Sequence, residues 1–472
     1  MPFEALWMVI PWALVVIGTT AVVVAYRRGE LSTALGITFV MATITRYGIP
    51  IAGSTIRFEQ PAILILLALI LMRDAGSLAT VVRRSMPFVA FAMVYLGAHL
   101  LSSALIPPDP FESLKITVWL GISMLGGAVA AYLMYKSGGT VRLAPWVVGA
   151  ALLHAAVGAA AVASQVILKT EWGVQHSDVL IGKAYGLALE SNLFGILIAM
   201  ALPFALLPAE RGGLTVERGA RASIVAVLAI GLGLAYSRGG LLAFAAAAVA
   251  LTILAAARRP RRAAEWLRVG GAATITIIVA AAVIQGQNAL AIAGARNTDN
   301  LVLVNVPTPA PRDPSGATPR PSASIDPAAT PEIVGVGDTI AVRLRSIGTA
   351  LEAFPAQPII GHGTDSIGQR HEEVSCLCPM HISNLPVATL YEAGIVGAIG
   401  LGGFLLLVIL GALRLRADAV LAAVVAMMVG YLVTDALRFG LNWIILGLVP
   451  GALAVDGLRR SRSTDQVATP DR

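Results

Sequence analysis

The sequence predicts an all-α polytopic membrane protein with about 12–13 transmembrane helices and one large extracytoplasmic loop. Three observations carry that expectation. Of 472 residues, 57% are hydrophobic and only 13% charged, and the mean hydropathy is +0.79, well outside the range of a soluble domain. Apolar runs that approach or exceed a bilayer crossing recur along most of the chain. Basic residues concentrate in alternate connections between those runs, as a multi-pass protein requires.

The apolar runs fall near 5–26, 31–45, 60–72, 87–106, 114–135, 145–168, 190–208, 222–236, 240–257, 269–286, 386–412, 418–436 and 441–457. The first follows no basic leader and precedes no small-residue cleavage site, so it reads as a retained helix rather than a signal peptide. The second and third are short and are expected to be tilted, broken or partly re-entrant. Four segments result: an N-terminal transmembrane bundle over 1–286, an extracytoplasmic loop over 287–385, C-terminal transmembrane helices over 386–457, and a disordered cytoplasmic tail over 458–472. Eight prolines lie between Pro307 and Pro331. Such a segment buries no core, so 307–331 reads as a disordered or polyproline-II insertion.

Charge orients the helices. Arg27 and Arg28, Arg73 with Arg83 and Arg84, Lys136 and Arg142, Arg211 with Arg218 and Arg221, the run from Arg258 to Arg268, Arg414 and Arg416, and the arginines from Arg459 onward all fall on one side. They make up most of the 34 basic residues. That side is expected to be cytoplasmic, with the N-terminus outside and the C-terminus inside. The net charge of +7 is then topology and attraction to anionic lipid, and no nucleic-acid partner is implied.

The remaining charges gather on the opposite side. Arg46, Arg57, Lys115, Lys169, Lys183, Arg238 and Arg438 fall at the outer ends of runs, as do Glu190, Glu392 and Asp435. Some are ordinary interface anchors. A cluster of ionisable groups at one membrane face is nonetheless a site hypothesis, because each is costly to hold there without a partner. Arg238 stands out, wedged between two apolar runs in SRGG. It reads either as a helix-end arginine snorkelling to headgroups or as an anion-binding group, with Gly239 and Gly240 permitting close backbone approach.

Within the large loop, Ile340, Leu344, Ile347, Leu351 and Phe354 recur at spacings of four and three. That is an amphipathic helix, capped by Asp338 or Thr339 and ended by Pro355. Arg343 and Arg345 project from the flank and back of its stripe, where a solvated face is the ordinary use of such residues. PIIGHG follows, with Gly361 and Gly363 allowing a tight turn around His362. Cys376 and Cys378 are the only cysteines; they are either a strained C-x-C disulfide or two free thiols. With His381 they form C-x-C-x₂-H, which lacks a fourth ligand for zinc. His381 itself stands immediately before an apolar run, where a histidine is either structural or a general base.

Three ordered motifs resemble the bacterial O-antigen ligase and O-antigen polymerase superfamily of integral membrane glycosyltransferases. SRGGLLA at 237–243 looks like its Ser-Arg-Gly helix start. RLRSIGTALEAFPAQPIIGHG at 343–363 resembles its loop segment, with an arginine ahead of an Ala-Leu pair and a Pro-x-x-Gly-x-Gly turn. MHISNLPVATLYEAGIVGAIGL at 380–401 resembles the segment in which a histidine precedes Glu-x-Gly-Ile-x-Gly. The chain departs from the family in having His381-Ile382 for a common His-Asn, and Glu190-Ser191-Asn192 for a common Asn-Pro-Asn.

The resemblance implies a C-type glycosyltransferase architecture with the large loop folded over the active site. It implies a glycan on a polyprenyl diphosphate in the outer leaflet as donor, and a glycan, lipid or protein hydroxyl as acceptor. His381 then matches the catalytic base. Arg238 and Arg343 match the arginines that hold the donor diphosphate, with Arg345 as a neighbouring alternative. Lys183, Glu190, His362 and Glu392 are taken as supporting residues. The implied enzyme is metal-independent and inverting, without a cofactor. A ligase and a polymerase share this donor and these residues. From other classes, a secondary transporter of a small anion and a non-catalytic envelope scaffold are the alternatives. The transporter lacks an evident inverted repeat and places its charges at the outer edge.

Overall fold

A computed structural model of the chain describes residues 2–51, 54–170, 172–175, 183–258, 336–373 and 378–467, with Gly271 and Thr274. The proline-rich stretch 307–331, the apolar run near 269–286 apart from those two residues, and Cys376 lie outside the described residues.

The protein is all-α. In chain order the helices are α1 (Pro2–Arg27), α2 (Leu31–Thr43), α3 (Glu59–Arg84), α4 (Met86–Leu105), α5 (Pro110–Lys136), α6 (Ala144–Leu168), α7 (Ser191–Leu206), α8 (Arg218–Ala235) and α9 (Arg238–Arg258). After the undescribed stretch come α10 (Val336–Ala353), the short α11 (Ser366–Arg370), α12 (Leu385–Leu415), α13 (Asp418–Gly430) and α14 (Gly440–Val467). Nine of the described helices are long and apolar enough to cross a membrane, and α2, α7 and α13 are shorter apolar helices. The chain is a multi-pass membrane protein. Large apolar side chains such as Ile17, Met72, Val118 and Ile167 face outward, as a lipid environment permits.

The short second and third runs resolve into two devices. After α2 the chain forms an antiparallel hairpin, β1 (Gly48–Ile51) on β2 (Ser54–Arg57), with Gly48 opposite Arg57. The third run is the first part of a longer α3, which is broken at Asp74 (φ −151°, ψ 40°). The Asp74 carboxylate accepts from the Tyr132 hydroxyl at 2.8 Å and from Lys136 at 2.5 Å.

Packing follows small residues. α14 lies along α5, α12 along α4, and α7 and α13 along α9. At the α5–α14 crossing a Cβ on Gly127 would stand 2.9 Å from the Trp443 carbonyl, and one on Gly447 would strike Gly127 itself. Backbone meets backbone there, which small residues permit in a bilayer where hydrophobic burial drives nothing. α7 is buried on almost every side, which suits a helix that is apolar all round.

The basic helix ends meet at one end of the bundle. Arg211 and Arg258 both pair with Asp418, the first at 3.5 Å, and Arg459 donates to the Gly138 carbonyl at 3.0 Å.

Two expectations need correction. α14 continues to Val467, so most of the tail expected to be disordered over 458–472 is helical; no Gly or Pro follows Gly457 before Val467 to stop propagation from an established helix. α10 begins at Val336, ahead of the expected caps Asp338 and Thr339, and is followed by a 3₁₀ turn over Phe354–Ala356. From Arg343 onward its buried residues are the small Ser346 and Ala350, whereas Leu344 and Leu351 of the apolar stripe are 62% and 47% exposed.

Candidate active site

The site end of the bundle is organised by a break in α12. Gly394 adopts φ 64°, ψ −165° inside that helix, a region open almost only to glycine. The helical ladder is interrupted there, and the turn at 358–363 supplies the missing partners. Ile395 N–H donates to the Pro358 carbonyl at 2.9 Å and Val396 N–H to that of Ile359 at 3.2 Å. In return His362 N–H donates to the Tyr391 carbonyl at 2.7 Å and Gly363 N–H to that of Glu392 at 3.0 Å. The approach is close: a Cβ on Gly361 would lie 2.5 Å from the Glu392 backbone. This explains why the Pro-x-x-Gly-x-Gly turn and the Glu-x-Gly of the helix occur together, since each completes the other's hydrogen bonding.

Beyond the turn, Thr364 is buried and fixed by three side chains. His99 Nδ1 lies 2.8 Å from its hydroxyl, Thr117 donates to it at 2.8 Å, and Ser103 at 3.0 Å. Asp365 comes next, in the left-handed region (φ 58°) that Asp tolerates. Its N–H donates to Glu392 Oε1 at 2.9 Å.

His381 arrives from the other direction. β5 (Glu372–Glu373) pairs with β6 (Cys378–Pro379), and the extended chain then buries Met380 and Ile382 in a small cluster with Ala350, Ile367, Ala388 and Tyr391. Alternate residues of an extended segment point to opposite sides. His381 therefore projects away from that cluster, its side chain 45% exposed, with Nδ1 3.9 Å from Asp365 Oδ1. Ile382, where the resembling family often has Asn, is one of the anchors.

Arg438 closes this group. Its guanidinium meets Glu392 at 2.5 Å, Asp365 at 3.3 Å and Asp435 at 3.6 Å. Its carbonyl accepts from Ser123 at 2.9 Å and from Arg57 at 3.1 Å. Burial alone would lower the Arg438 pKa, but the three carboxylates outweigh it and hold the guanidinium charged. Burial would raise the Asp365 carboxyl, yet the interaction with His381 and the charge of Arg438 bring it below its ordinary value. The His381 pKa is raised, chiefly by its interaction with the Asp365 carboxylate and against the opposing effect of burial.

A second group is cationic. α8 ends at Tyr236 in the left-handed region (φ 44°), and Ser237 starts α9: its hydroxyl accepts from Gly240 N–H at 2.9 Å and donates to Asn192 Oδ1 at 2.8 Å. Arg238 is thus the first residue of a 21-residue helix, where the dipole adds to its own attraction for anions. Lys183 is presented by the two-residue ladder of β3 (Val174–Gln175) on β4 (Lys183–Ala184) and lies over the Tyr236 ring at 5.7 Å. Burial holds its ammonium below the usual lysine value, and the nearby charges of Arg238 and Arg343 press it further down. Arg343 projects from α10 and donates to the Val433 carbonyl at 2.5 Å.

The loop 431–439 between α13 and α14 joins the two groups. Val433 holds Arg343, the Thr434 hydroxyl donates to Glu190 at 2.8 Å, and Asp435 meets Arg438. Among the described residues no carboxylate pairs with Lys183, Arg238 or Arg343.

Lys183 therefore lies within electrostatic reach of Arg238 and Arg343, and His381 stands beside Asp365. Arg345 is exposed on α10. His362 stands apart from both groups: it is buried, its Nε2 2.8 Å from the Ala353 carbonyl, and it stacks on Tyr391 at 4.6 Å. Burial lowers its pKa, as suits a neutral packing residue. Glu392 is buried as the partner of Arg438 and Asp365, and Glu190 holds loop 431–439. Sequence reasoning missed Asp365 as the neighbour of His381, although its place two residues after the GHG turn was a usable signal. It noted Arg438 and Asp435 only as charges at the outer ends of runs.

No curated protein matches the chain. The family model described as O-Antigen ligase matches residues 223–402, a span that takes in Arg238, Arg343, the 358–363 turn, Asp365, His381 and the break in α12. Residues 223–402 are thus similar to the O-antigen ligase family.

Proposed function

We propose that this protein is an O-antigen ligase-like glycosyltransferase, moving a glycan from a polyprenyl-diphosphate donor to an acceptor hydroxyl at the outer face of the cytoplasmic membrane. The observation that carries the reading is Lys183 within electrostatic reach of Arg238 and Arg343, without paired carboxylates among the described residues, with Arg343 held by the loop that also bears Arg438. Three cations with no paired carboxylate among the described residues suit a diphosphate, and fixed guanidiniums stabilise the charge that develops on it as it leaves.

The acceptor oxygen attacks the anomeric carbon of the donor sugar. A new carbon–oxygen bond forms as the bond to the diphosphate breaks, and the electron pair departs on the diphosphate. One displacement inverts the anomeric centre. His381 takes the hydroxyl proton, and Asp365 favours the imidazolium that results. Arg345 is a second contact for the donor from α10. No step requires a metal. The basic end of the bundle lies in the cytoplasm and the N-terminus outside.

The deciding experiment uses purified protein in liposomes with a lipid-linked oligosaccharide donor and separate acceptors. His381→Ala is expected to lose on the order of 10²–10⁴-fold in transfer rate while donor binding persists. Transfer to a lipid or protein acceptor supports the ligase; elongation of the donor glycan alone would make the enzyme a polymerase. Wild-type turnover by His381→Ala, or dependence on an added divalent metal, would sink the mechanism.

A further inference from the structure

A cavity of about 510 Å³ opens at the basic end of the bundle, opposite the site described above. It lies between the α5–α6 connection, the α7–α8 connection, the α12–α13 connection and α14. Its rim carries Arg142, Arg211, Arg416 and Arg459. Arg211 is committed to Asp418 at 3.5 Å and Arg459 to the Gly138 carbonyl at 3.0 Å. The Arg142 and Arg416 side chains are exposed and have no ion-pair partner among the described residues. Two carboxylates, Glu210 and Asp456, also line the cavity, and Asp456 is met by Arg414 at 3.7 Å. The rim is therefore net positive.

Its depth is different. Phe204 of α7 and Leu448 of α14 form the inner wall, both buried within the bundle. A cationic rim above an apolar interior selects an amphipathic anion. Inorganic phosphate would satisfy the arginines and leave the apolar wall against water, whereas a lipid satisfies both. We propose that this cavity seats one anionic phospholipid, its headgroup on the rim arginines and an acyl chain against the wall formed by α7 and α14. The lipid then bridges three connections and α14, which otherwise meet through single contacts such as Arg211 with Asp418 and Arg459 with the Gly138 carbonyl. It stabilises the bundle from the end remote from the glycan chemistry.

Native mass spectrometry of the delipidated full chain, titrated with phosphatidylglycerol or with phosphatidylcholine of the same acyl chains, tests this. Wild type is expected to retain phosphatidylglycerol in preference and to gain thermal stability from it. Arg142→Gln with Arg416→Gln should weaken that binding by about fivefold or more for each arginine removed. Ala452→Trp, which fills the apolar wall, should abolish it while leaving the rim charges intact. Both variants should elute and melt like wild type without lipid, since Arg142 and Arg416 are exposed and Ala452 is only partly buried. Equal binding of the two lipids, undiminished binding by either variant, or full thermal protection by inorganic phosphate alone would overturn the proposal.

Discussion

Asp365 and His381 lie 16 positions apart in sequence, yet their side chains approach to 3.9 Å because Thr364 is fixed from α4 and α5 while Met380 and Ile382 are fixed from α10 and α12. His381 was legible from its motif. Its partner was not, because a pairing across two separately anchored segments leaves no periodic trace. The pairing has a kinetic consequence. A base must be deprotonated to act, so activity falls as pH drops through the His381 pKa, which Asp365 raises. Asp365→Asn removes that contribution, lowers the pKa, and is expected to move the acid limb of the kcat/KM profile to lower pH. An unmoved limb would show that Asp365 does not address His381. At Arg238 the expectation concerns shape rather than charge. Arg238→Lys keeps the cation but not the planar fork, and losing one charge-assisted hydrogen bond, about 1.5–3 kcal/mol, corresponds to roughly tenfold to hundredfold slower transfer in the same assay. Turnover within twofold of wild type would reduce Arg238 to a membrane anchor.

Helices were the easiest elements to read, because apolar runs bounded by basic clusters dictate their places along the chain. The interruptions were not readable. Gly394 lies in YEAGIVG, where a single glycine in an apolar run is compatible with an unbroken helix, and nothing local announces that a turn some thirty residues earlier will complete its hydrogen bonds. Gly394→Ala forces a side chain into a glycine-only conformation and against the Ile359 carbonyl. A loss of about 1–3 kcal/mol is expected, seen as a lower thermal midpoint in detergent, and an unchanged midpoint would mean that the break is not structural. α10 was recognised as amphipathic, but periodicity did not say which of its residues make the close contact. Ser346 and Ala350 make the close contact because small residues let α10 approach α12, leaving Leu344 and Leu351 outward.

For the molecule as a whole, hydropathy and charge asymmetry were sufficient to anticipate a multi-pass bundle with a basic end. They carried no information on which helices neighbour which, since the small-residue crossings of α5 with α14 arise from shape. The described parts of the site, from Lys183 to Arg438, close on one another through loop 431–439 without the proline-rich segment. Deleting residues 307–331 is accordingly expected to leave transfer within about twofold of wild type in membranes, and loss of activity with normal insertion would make that segment part of the site. The break in α12 also separates two events in the making of this protein. The stretch after Gly394 is by itself about 30 Å long, enough to span the hydrocarbon, so the translocon can release it into the bilayer before Leu385–Ala393 has a partner. The portion bearing Tyr391 and Glu392 then folds later, when the turn at 358–363 reaches it. Biogenesis and competence are thereby uncoupled: a chain damaged at Gly361 or Gly394 should still be delivered to the membrane at normal abundance and accumulate there as an inserted but catalytically idle protein.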